Sequence, residues 1–278
     1  MSEHEVASLH KNVLCRCCGA SCEFFSKAKV LSYDGVYYRC RRCLSVQIDN
    51  PTWIVQSHSR AISALDTGLV SRCVSASKII STFLYFEGKP NSVGIDWGGG
   101  TGLLTRLMRD LGYKMSNYDK YSDGYLAEGF QATLEDFNHP TTFITSIECF
   151  EHLEDPLTYF WEATKKTEYF FFTTEIIPFP TPDPAASEWW YFLPETGQHI
   201  TFLSAQGLII MKEKLEFKNY LRIGTLHVFS RAPIKKRTKN ILAIRVFRML
   251  ALVLVPIYLS KRYSLILRDQ EELRHRMN

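Results

Sequence analysis

The sequence predicts an α/β fold with a doubly wound, mostly parallel sheet, a cysteine-rich module before it and a basic, apolar helical tail after it. Three observations support this prediction. Strand and helix patterns alternate through residues 91–232, which is the order that builds a parallel sheet. Six of the eight cysteines lie between Cys15 and Cys43. Residues 231–278 contain 12 Lys/Arg and 3 Asp/Glu, a net charge of +9, whereas the whole chain of 278 residues has a net charge of only +4. The body before the tail is therefore mildly acidic.

The cysteine-rich module consists of two Cys-x-x-Cys pairs separated by 21 residues. Two thiolates on each turn and four in total match a closed, tetrahedral Zn²⁺ site of the zinc-ribbon kind, which is structural rather than catalytic. The thiols that this spacing selects are Cys15, Cys18, Cys40 and Cys43. Cys17 and Cys22 lie close by, so the spacing leaves open which thiolates bind the metal.

Composition narrows the cellular setting and the partners. The first eleven residues lack an apolar core, so we expect no secretory signal and a cytoplasmic location, where clustered cysteines hold metal rather than form disulfides. The mildly acidic body argues against a broad nucleic-acid-binding face. The basic tail predicts contact with an anionic partner.

A glycine-rich segment follows the strand pattern Val93–Asp96, and a helix pattern starts at Leu103. Glycines leave the backbone amides accessible, and the helix N-terminus adds further N–H donors. A dinucleotide fingerprint needs a third glycine at the position of Leu103. The next strand ends at an aspartate, 17 residues after the last glycine, whose carboxylate can accept hydrogen bonds from both hydroxyls of a ribose. The predicted cofactor contacts are Asp96, Gly98, Gly99, Gly100, Gly102 and Asp119.

This glycine segment resembles motif I of class I S-adenosylmethionine (SAM)-dependent methyltransferases, in which the loop lies against the amino-acid end of SAM. The segment 144–156 is similar to the fourth-strand region of the same superfamily, in its type 11/23-like branch with E-x-x-E-H-L-x-D-P. The resemblance covers about residues 90–231 and implies a Rossmann-like methyltransferase fold that binds SAM. Residues 131–138 lack a clear strand pattern, and Glu135 or Asp136 is the candidate for an adenine contact.

Charged side chains follow the strand pattern Phe143–Ile147, where the ligand crevice of an open α/β sheet lies. The catalytic candidates are Glu148, Glu151, His152 and His199, and Glu148 is also a cofactor-binding candidate. Three interpretations stay open. The residues order the loop, or His152 is the general base for an oxygen acceptor. In the third interpretation these residues form a divalent metal site. It rests on a resemblance to metal-using O-methyltransferases of ubiquinone synthesis and of small-RNA ends, in which such a cluster holds a magnesium-type ion.

Two regions are candidates for binding the substrate. Trp189 and Trp190 lie in a long aromatic loop at 178–203 and present rings that suit the C–H faces of sugars, although they could equally pack the loop onto the sheet. Asp66 and Arg72 precede the sheet, where class I enzymes carry helices that cover the substrate. We expect residues 53–87 to be mostly helical.

The tail segment Ile241–Leu259 is apolar but contains Arg245, Arg248 and Pro256. Its longest uncharged stretch, Met249–Ser260, is too short to span a bilayer. With basic residues on both sides it resembles an interfacial amphipathic helix, peripheral at the inner face of the membrane. Docking on the surface of the protein itself is the alternative.

The combined pattern looks like methyltransferases of bacterial surface-polysaccharide and deoxysugar pathways. The resemblance implies O-methylation of a sugar, nucleotide-sugar or glycolipid substrate. An RNA methyltransferase that binds RNA through its ribbon is one alternative, although the acidic body and the lack of an Asn-Pro-Pro-Tyr motif disfavour it; a non-catalytic scaffold is another. The predicted parts are a zinc ribbon (11–50), a helical substrate-covering linker (51–90), a SAM-dependent methyltransferase domain (91–232) and basic amphipathic helices (233–278).

Overall fold

The computed structural model describes residues 13–54, 66–186 and 188–277. These residues form two compact units, and each unit combines segments that are distant in sequence. The described part of the first unit covers residues 13–54, 149–161, 174–186 and 188–216, and that of the second covers 66–148, 162–173 and 217–277. The sequence predicts a mostly helical segment over residues 53–87. Residues 55–65 of that segment lie outside the described residues, and Leu69–Glu87 form a helix.

Ten strands and seven α-helices occur in the described residues. The strands are β1 (Cys22–Val30), β2 (Tyr33–Cys40), β3 (Val46–Ile48), β4 (Val93–Trp97), β5 (Lys114–Tyr118), β6 (Thr141–Ser146), β7 (Thr167–Thr173), β8 (Thr201–Phe202), β9 (Asn219–Ile223) and β10 (Leu226–Ser230). The helices are α1 (Leu69–Glu87), α2 (Leu103–Asp110), α3 (Pro156–Thr164), α4 (Ala205–Lys214), α5 (Lys236–Ala243), α6 (Arg245–Tyr263) and α7 (Ile266–Met277).

The first unit is built on an antiparallel sheet of order β1-β2-β3-β8. Val46 pairs with Phe202 across β3 and β8, so the cysteine-rich segment shares a sheet with a strand that follows it by about 150 residues. The buried side chains of both segments form one hydrophobic cluster, which includes Tyr37, Ile48, Trp53, Tyr191, Phe192 and Phe202. Residues 13–54 are therefore not a free-standing module, because β8 and the aromatic loop complete their core.

The second unit contains the predicted doubly wound sheet, in the order β5-β4-β6-β7-β10-β9. The strands β5, β4, β6 and β7 are parallel, and β10 is antiparallel to both of its neighbours. Side chains from α1, α2, α5 and α6 join those of the sheet in one apolar core. Residues 131–138 contribute only an isolated bridge between Gln131 and Asn117 and a short 3₁₀ turn. β5 therefore lies at one edge of the sheet, in agreement with the missing strand pattern.

The tail is helical, as predicted, and two buried carboxylates attach it to the second unit. Glu87 accepts hydrogen bonds from the backbone N–H of Lys235 at 3.1 Å and from the Thr238 hydroxyl, at the start of α5. Asp269 in α7 accepts two bonds from the Arg109 guanidinium at 2.7 and 2.6 Å. Among the described helices, none alone combines the length and hydropathy of a membrane span; α5 and α6 meet that criterion only together, as a pair bent by 105°.

Candidate active site

The glycine loop joins the end of β4 to α2 in the second unit. Gly98, Gly100 and Gly102 have φ angles of +76°, +53° and +80°, a left-handed conformation that residues with a side chain adopt only at a cost. The backbone N–H groups of Gly98 and Gly99 both donate to the Tyr118 carbonyl, at 2.8 and 3.2 Å. The loop is therefore held against the C-terminal end of the neighbouring strand β5.

The glycines of the loop serve two different purposes. A Cβ on Gly99 would lie 2.1 Å from Asn117 Oδ1, and a Cβ on Gly102 would lie 2.7 Å from Ala127 Cβ, so these positions need glycine for packing. A Cβ on Gly100 would meet no atom within 4 Å. Gly100 therefore borders open space, where the backbone can be approached by a ligand. This space is the feature that fits a cofactor bound along the loop.

Asp119 faces the same space as the loop. Its Oδ2 accepts a hydrogen bond from the Gly100 N–H at 2.9 Å, and its Oδ1 accepts one from the Tyr121 N–H at 2.7 Å. Each carboxylate oxygen has two lone pairs, so both oxygens can still accept a hydroxyl of a ribose. The structure thus places Asp119 beside the loop, as the order of strand, loop, helix, strand and acid predicts.

Asp96, at the end of β4, lies beneath the loop and is buried. Burial raises the pKa of this carboxyl from 3.8 to about 7; a hydrogen bond from Thr145 lowers it and the charge of Asp119 raises it further. A Cβ on Gly99 would lie 2.6 Å from Asp96 Oδ2. Asp96 therefore lies beneath the glycine loop and titrates near neutral pH.

Three of the predicted site residues form a row of ion pairs within the second unit. Asp66 Oδ1 lies 2.5 Å from Arg72 Nη2, and Arg72 Nε lies 3.6 Å from Glu148 Oε2. The Thr173 hydroxyl donates to the other oxygen of Glu148 at 2.7 Å. Burial would lower the pKa of Arg72, but the two carboxylates raise it, which keeps the guanidinium charged. Glu148 has φ = +54°, so the chain turns sharply at the end of β6.

Glu151, His152 and His199 form a second cluster, within the first unit. One ligand atom from each lies within 4.8 Å of the others. His152 Nδ1 is 2.9 Å from the Gln198 carbonyl, and His199 Nδ1 is 2.7 Å from the Tyr191 carbonyl. A ring that donates from Nδ1 carries its basic lone pair on Nε2, the usual arrangement of a histidine that binds a metal or accepts a proton. Glu148 belongs to the other network and not to this cluster.

A family comparison identifies the fold. The model of the methyltransferase domain family matches residues 74–221, just over half of the chain. The chain belongs to the methyltransferase domain family. With the sheet order, the glycine loop and Asp119 in place, it is a SAM-dependent class I methyltransferase, as the sequence predicts.

The solved structures similar to this methyltransferase are remote. Magnesium protoporphyrin IX methyltransferase from Synechocystis with bound SAH is 11% identical, with a TM-score of 0.44 and coverage of 64% of this chain and 94% of that chain. An O-methyltransferase family protein from Burkholderia thailandensis is 12% identical, with a TM-score of 0.44 and coverage of 60% and 57%. Human N-acetylserotonin methyltransferase in complex with SAM is 10% identical, with a TM-score of 0.42 and coverage of 66% and 66%. Comparison with curated proteins found no match. The family assignment therefore stands on residues 74–221.

The four cysteines selected by spacing come together in the methyltransferase. Cys15 Sγ lies 3.5 Å from Cys43 Sγ, and Cys18 Sγ lies 3.3 Å from Cys40 Sγ. A tetrahedral zinc site with Zn–S bonds of about 2.3 Å has sulfur–sulfur edges of about 3.8 Å. The four buried sulfurs form the group that fits a metal, and it does not include Cys17 or Cys22.

Arg16, inside the first cysteine pair, links the ribbon to Ile200 and to β8, which begins two residues after His199. Its Nη1 donates to the Ile200 carbonyl and to the Thr201 hydroxyl, both at 2.9 Å, and its Nη2 donates to the Ile48 carbonyl at 2.9 Å. Ile200 N–H in turn donates to the Glu151 carbonyl at 2.8 Å. No local sequence pattern indicates this role of Arg16, because its partners Ile200 and Thr201 lie about 185 residues away.

The two tryptophans of the loop differ in exposure. The Trp189 ring packs against Tyr191, Phe192 and Phe202, with centroid distances of 5.3, 5.2 and 6.0 Å. The Trp190 side chain is 68% exposed. The packing interpretation therefore describes Trp189, and Trp190 is the ring that can meet a substrate.

Proposed function

We propose that this methyltransferase transfers the methyl group of SAM to a hydroxyl oxygen of a sugar or sugar-linked precursor. In this reaction the bond between sulfur and the methyl carbon breaks as the oxygen attacks, so SAH leaves and the hydroxyl loses its proton. An oxygen acceptor therefore needs a base or a cation near the reacting hydroxyl. The cluster of Glu151, His152 and His199 is the single observation that carries the proposal.

The donor set of this cluster defines how it would act. Two imidazoles whose Nδ1 atoms are fixed by backbone carbonyls and one buried carboxylate suit a divalent cation of the manganese or iron type better than magnesium. Such a cation, when bound, would lower the pKa of a coordinated hydroxyl. The residues themselves would orient the acceptor, and His152, the more exposed of the two histidines, would accept the proton in a metal-free reaction.

Trp190 supports a sugar-like acceptor. The ring is exposed, and its neighbour Tyr191 contacts the His199 ring at a centroid distance of 4.5 Å. An exposed aromatic plane that is fixed close to catalytic groups suits the C–H face of a pyranose. The ribbon cysteines would hold Zn²⁺ as a structural ion, which keeps the strand β8 and the segment carrying His199 in place.

The test is SAH production by the full chain with a panel of nucleotide sugars, glycolipids and RNA. We expect turnover with a sugar acceptor, and we expect His152→Ala and His199→Ala to lower kcat at least 100-fold while SAM affinity is unchanged. His139→Ala is the matched control, because His139 is exposed and lies in the second unit. Activity of both cluster variants within threefold of this control would refute the proposal, as would turnover with RNA alone.

Metal add-back distinguishes a reaction assisted by a divalent cation from a metal-free reaction in which His152 is the base. Chelator treatment followed by Mn²⁺ or Mg²⁺ should restore turnover if a cation acts, with Mn²⁺ the more effective. The zinc content is measured on the same samples, so that loss of the ribbon metal is not mistaken for loss of a catalytic cation. Full activity without any divalent ion in the cluster would leave His152 as the base.

A further inference from the structure

The outer face of α6 is apolar and exposed. Ala251, Val255 and Leu259 are buried, and the last two belong to the core of the second unit, whereas another stripe of the same helix has no cover among the described residues. The stripe consists of Val246, Phe247, Leu250, Val253, Leu254 and Ile257, each at least 50% exposed. These positions recur at the three- and four-residue spacing of a single helical face. Contiguous exposed apolar surface of this kind marks an interaction site.

The exposure of this stripe is not the result of a loosely attached helix. Glu87 holds the start of α5, and the ion pair between Arg109 and Asp269 holds α7, on either side of α6 in the chain. Gly112 also meets the end of α6, where a Cβ would lie 2.5 Å from Tyr263 Cβ. The inner face is therefore fixed to the second unit, and the stripe is presented outward in a defined orientation.

The charge around the stripe indicates what covers it. Between Glu216 and Asp269 the chain contains twelve Lys/Arg and no Asp/Glu. Arg245 at the start of α6 and Lys261 and Arg262 at its end are all exposed. An apolar stripe with basic residues at both ends matches the depth profile of a bilayer whose headgroups are anionic. A second copy of the chain fits poorly, because a twofold contact along α6 would bring basic ends together without an acidic partner.

We propose that the outer face of α6 docks this protein onto an anionic lipid bilayer, with the helix parallel to the surface. The stripe would insert among the acyl chains near the headgroups, and the basic ends would contact lipid phosphates. This inference is independent of the acceptor, since it rests on the second unit and not on the histidine cluster.

Vesicle flotation of the full chain tests the proposal. Phosphatidylcholine vesicles are compared with vesicles that contain about 30% phosphatidylglycerol, at low and high salt. We expect at least tenfold tighter binding to the anionic vesicles, weakened by salt. The double variant Leu250→Glu, Leu254→Glu should lose at least tenfold of that binding, because it puts two charges into the apolar stripe. Its thermal midpoint should stay within a few degrees of wild type, since both side chains are exposed.

Val93→Glu is the matched control, since Val93 is another exposed apolar residue of the second unit and lies outside the stripe. It should bind vesicles as the wild type does. Unchanged vesicle binding by the double variant, or equal binding to both kinds of vesicle, would overturn the proposal. It would also be overturned if the wild type dimerised in solution through this face and bound no vesicles. Turnover of a soluble acceptor is measured alongside, so a failed vesicle result is distinguishable from a failed function.

Discussion

The substitution Gly100→Ala tests whether the open space beside Gly100 binds the cofactor, without disturbing the packing of the glycine loop. At Gly99 and Gly102 an added Cβ would collide with neighbouring atoms, so their substitution disturbs the fold itself. At Gly100 the new methyl group meets nothing within 4 Å, and the cost to folding is the left-handed backbone alone. That cost is about 1–2 kcal/mol, which lowers the thermal midpoint by only a few degrees in a chain of this size.

The effect of Gly100→Ala on cofactor binding should be much larger than its effect on stability. A methyl group in that space keeps the ligand away from the loop and from the Asp119 carboxylate beside it, and a hydrogen bond to a charged group contributes about 1.5–3 kcal/mol. Since about 1.4 kcal/mol corresponds to a tenfold change, we expect SAM affinity to fall about 10- to 150-fold. Isothermal titration calorimetry with SAM and SAH measures this change directly.

Gly224→Ala provides the control for Gly100→Ala. Gly224 has φ = +64° and a Cβ there also meets nothing within 4 Å, but it lies in the turn between β9 and β10. Both variants should lose similar stability, and only Gly100→Ala should lose SAM affinity. If Gly100→Ala binds SAM within threefold of Gly224→Ala, the space beside Gly100 is not the cofactor site.

Three further predictions concern single side chains. Burial raises the pKa of Asp96 from 3.8 to about 7, so its contribution to stability is present below pH 3.8 and is lost as the pH rises through 7. Asp96→Asn should therefore lose less stability than wild type between pH 4 and pH 8, as measured by urea unfolding. Parallel curves of unfolding free energy against pH for the two proteins would contradict this. Cys40→Ser should abolish bound zinc while Cys22→Ser retains it, as measured by elemental analysis; equal zinc in both would refute the assigned ligands. Arg16→Met removes three hydrogen bonds and should destabilise the protein by about 3 kcal/mol and lower kcat with unchanged SAM affinity; unchanged kcat would show that the ribbon does not position His199.

The placement of Asp119 beside the glycine loop could be predicted from the sequence because its determinants are local. The loop from Gly98 to Gly102 lies between a strand and a helix, and Asp119 follows at the end of the next strand. Parallel strands bring their C-terminal ends to one edge, so chain order alone places these groups together. The grouping of the four cysteines was predictable for a similar reason, since two short spacings define both turns.

The grouping of the charged side chains after β6 was only partly predictable, because their contacts are distant in sequence. Glu148 and Glu151 are three residues apart, yet Glu148 joins Arg72 and Glu151 joins His199. The positive φ of Glu148 redirects the chain between them, and no residue type marks that turn in advance. The pairing of β3 with β8 could not be predicted from the sequence either, because β8 is only two residues long and shows no strand pattern.

The most direct test of the central claim is a calorimetric titration of the wild-type chain with SAM and, separately, with NAD. The open space beside Gly100 and the carboxylate of Asp119 predict one SAM site in each chain and no binding of NAD. They also predict that Asp119→Ala weakens SAM binding at least tenfold, because both ribose hydroxyls lose their acceptor. Absence of SAM binding, or a nicotinamide cofactor bound in its place, would contradict the account.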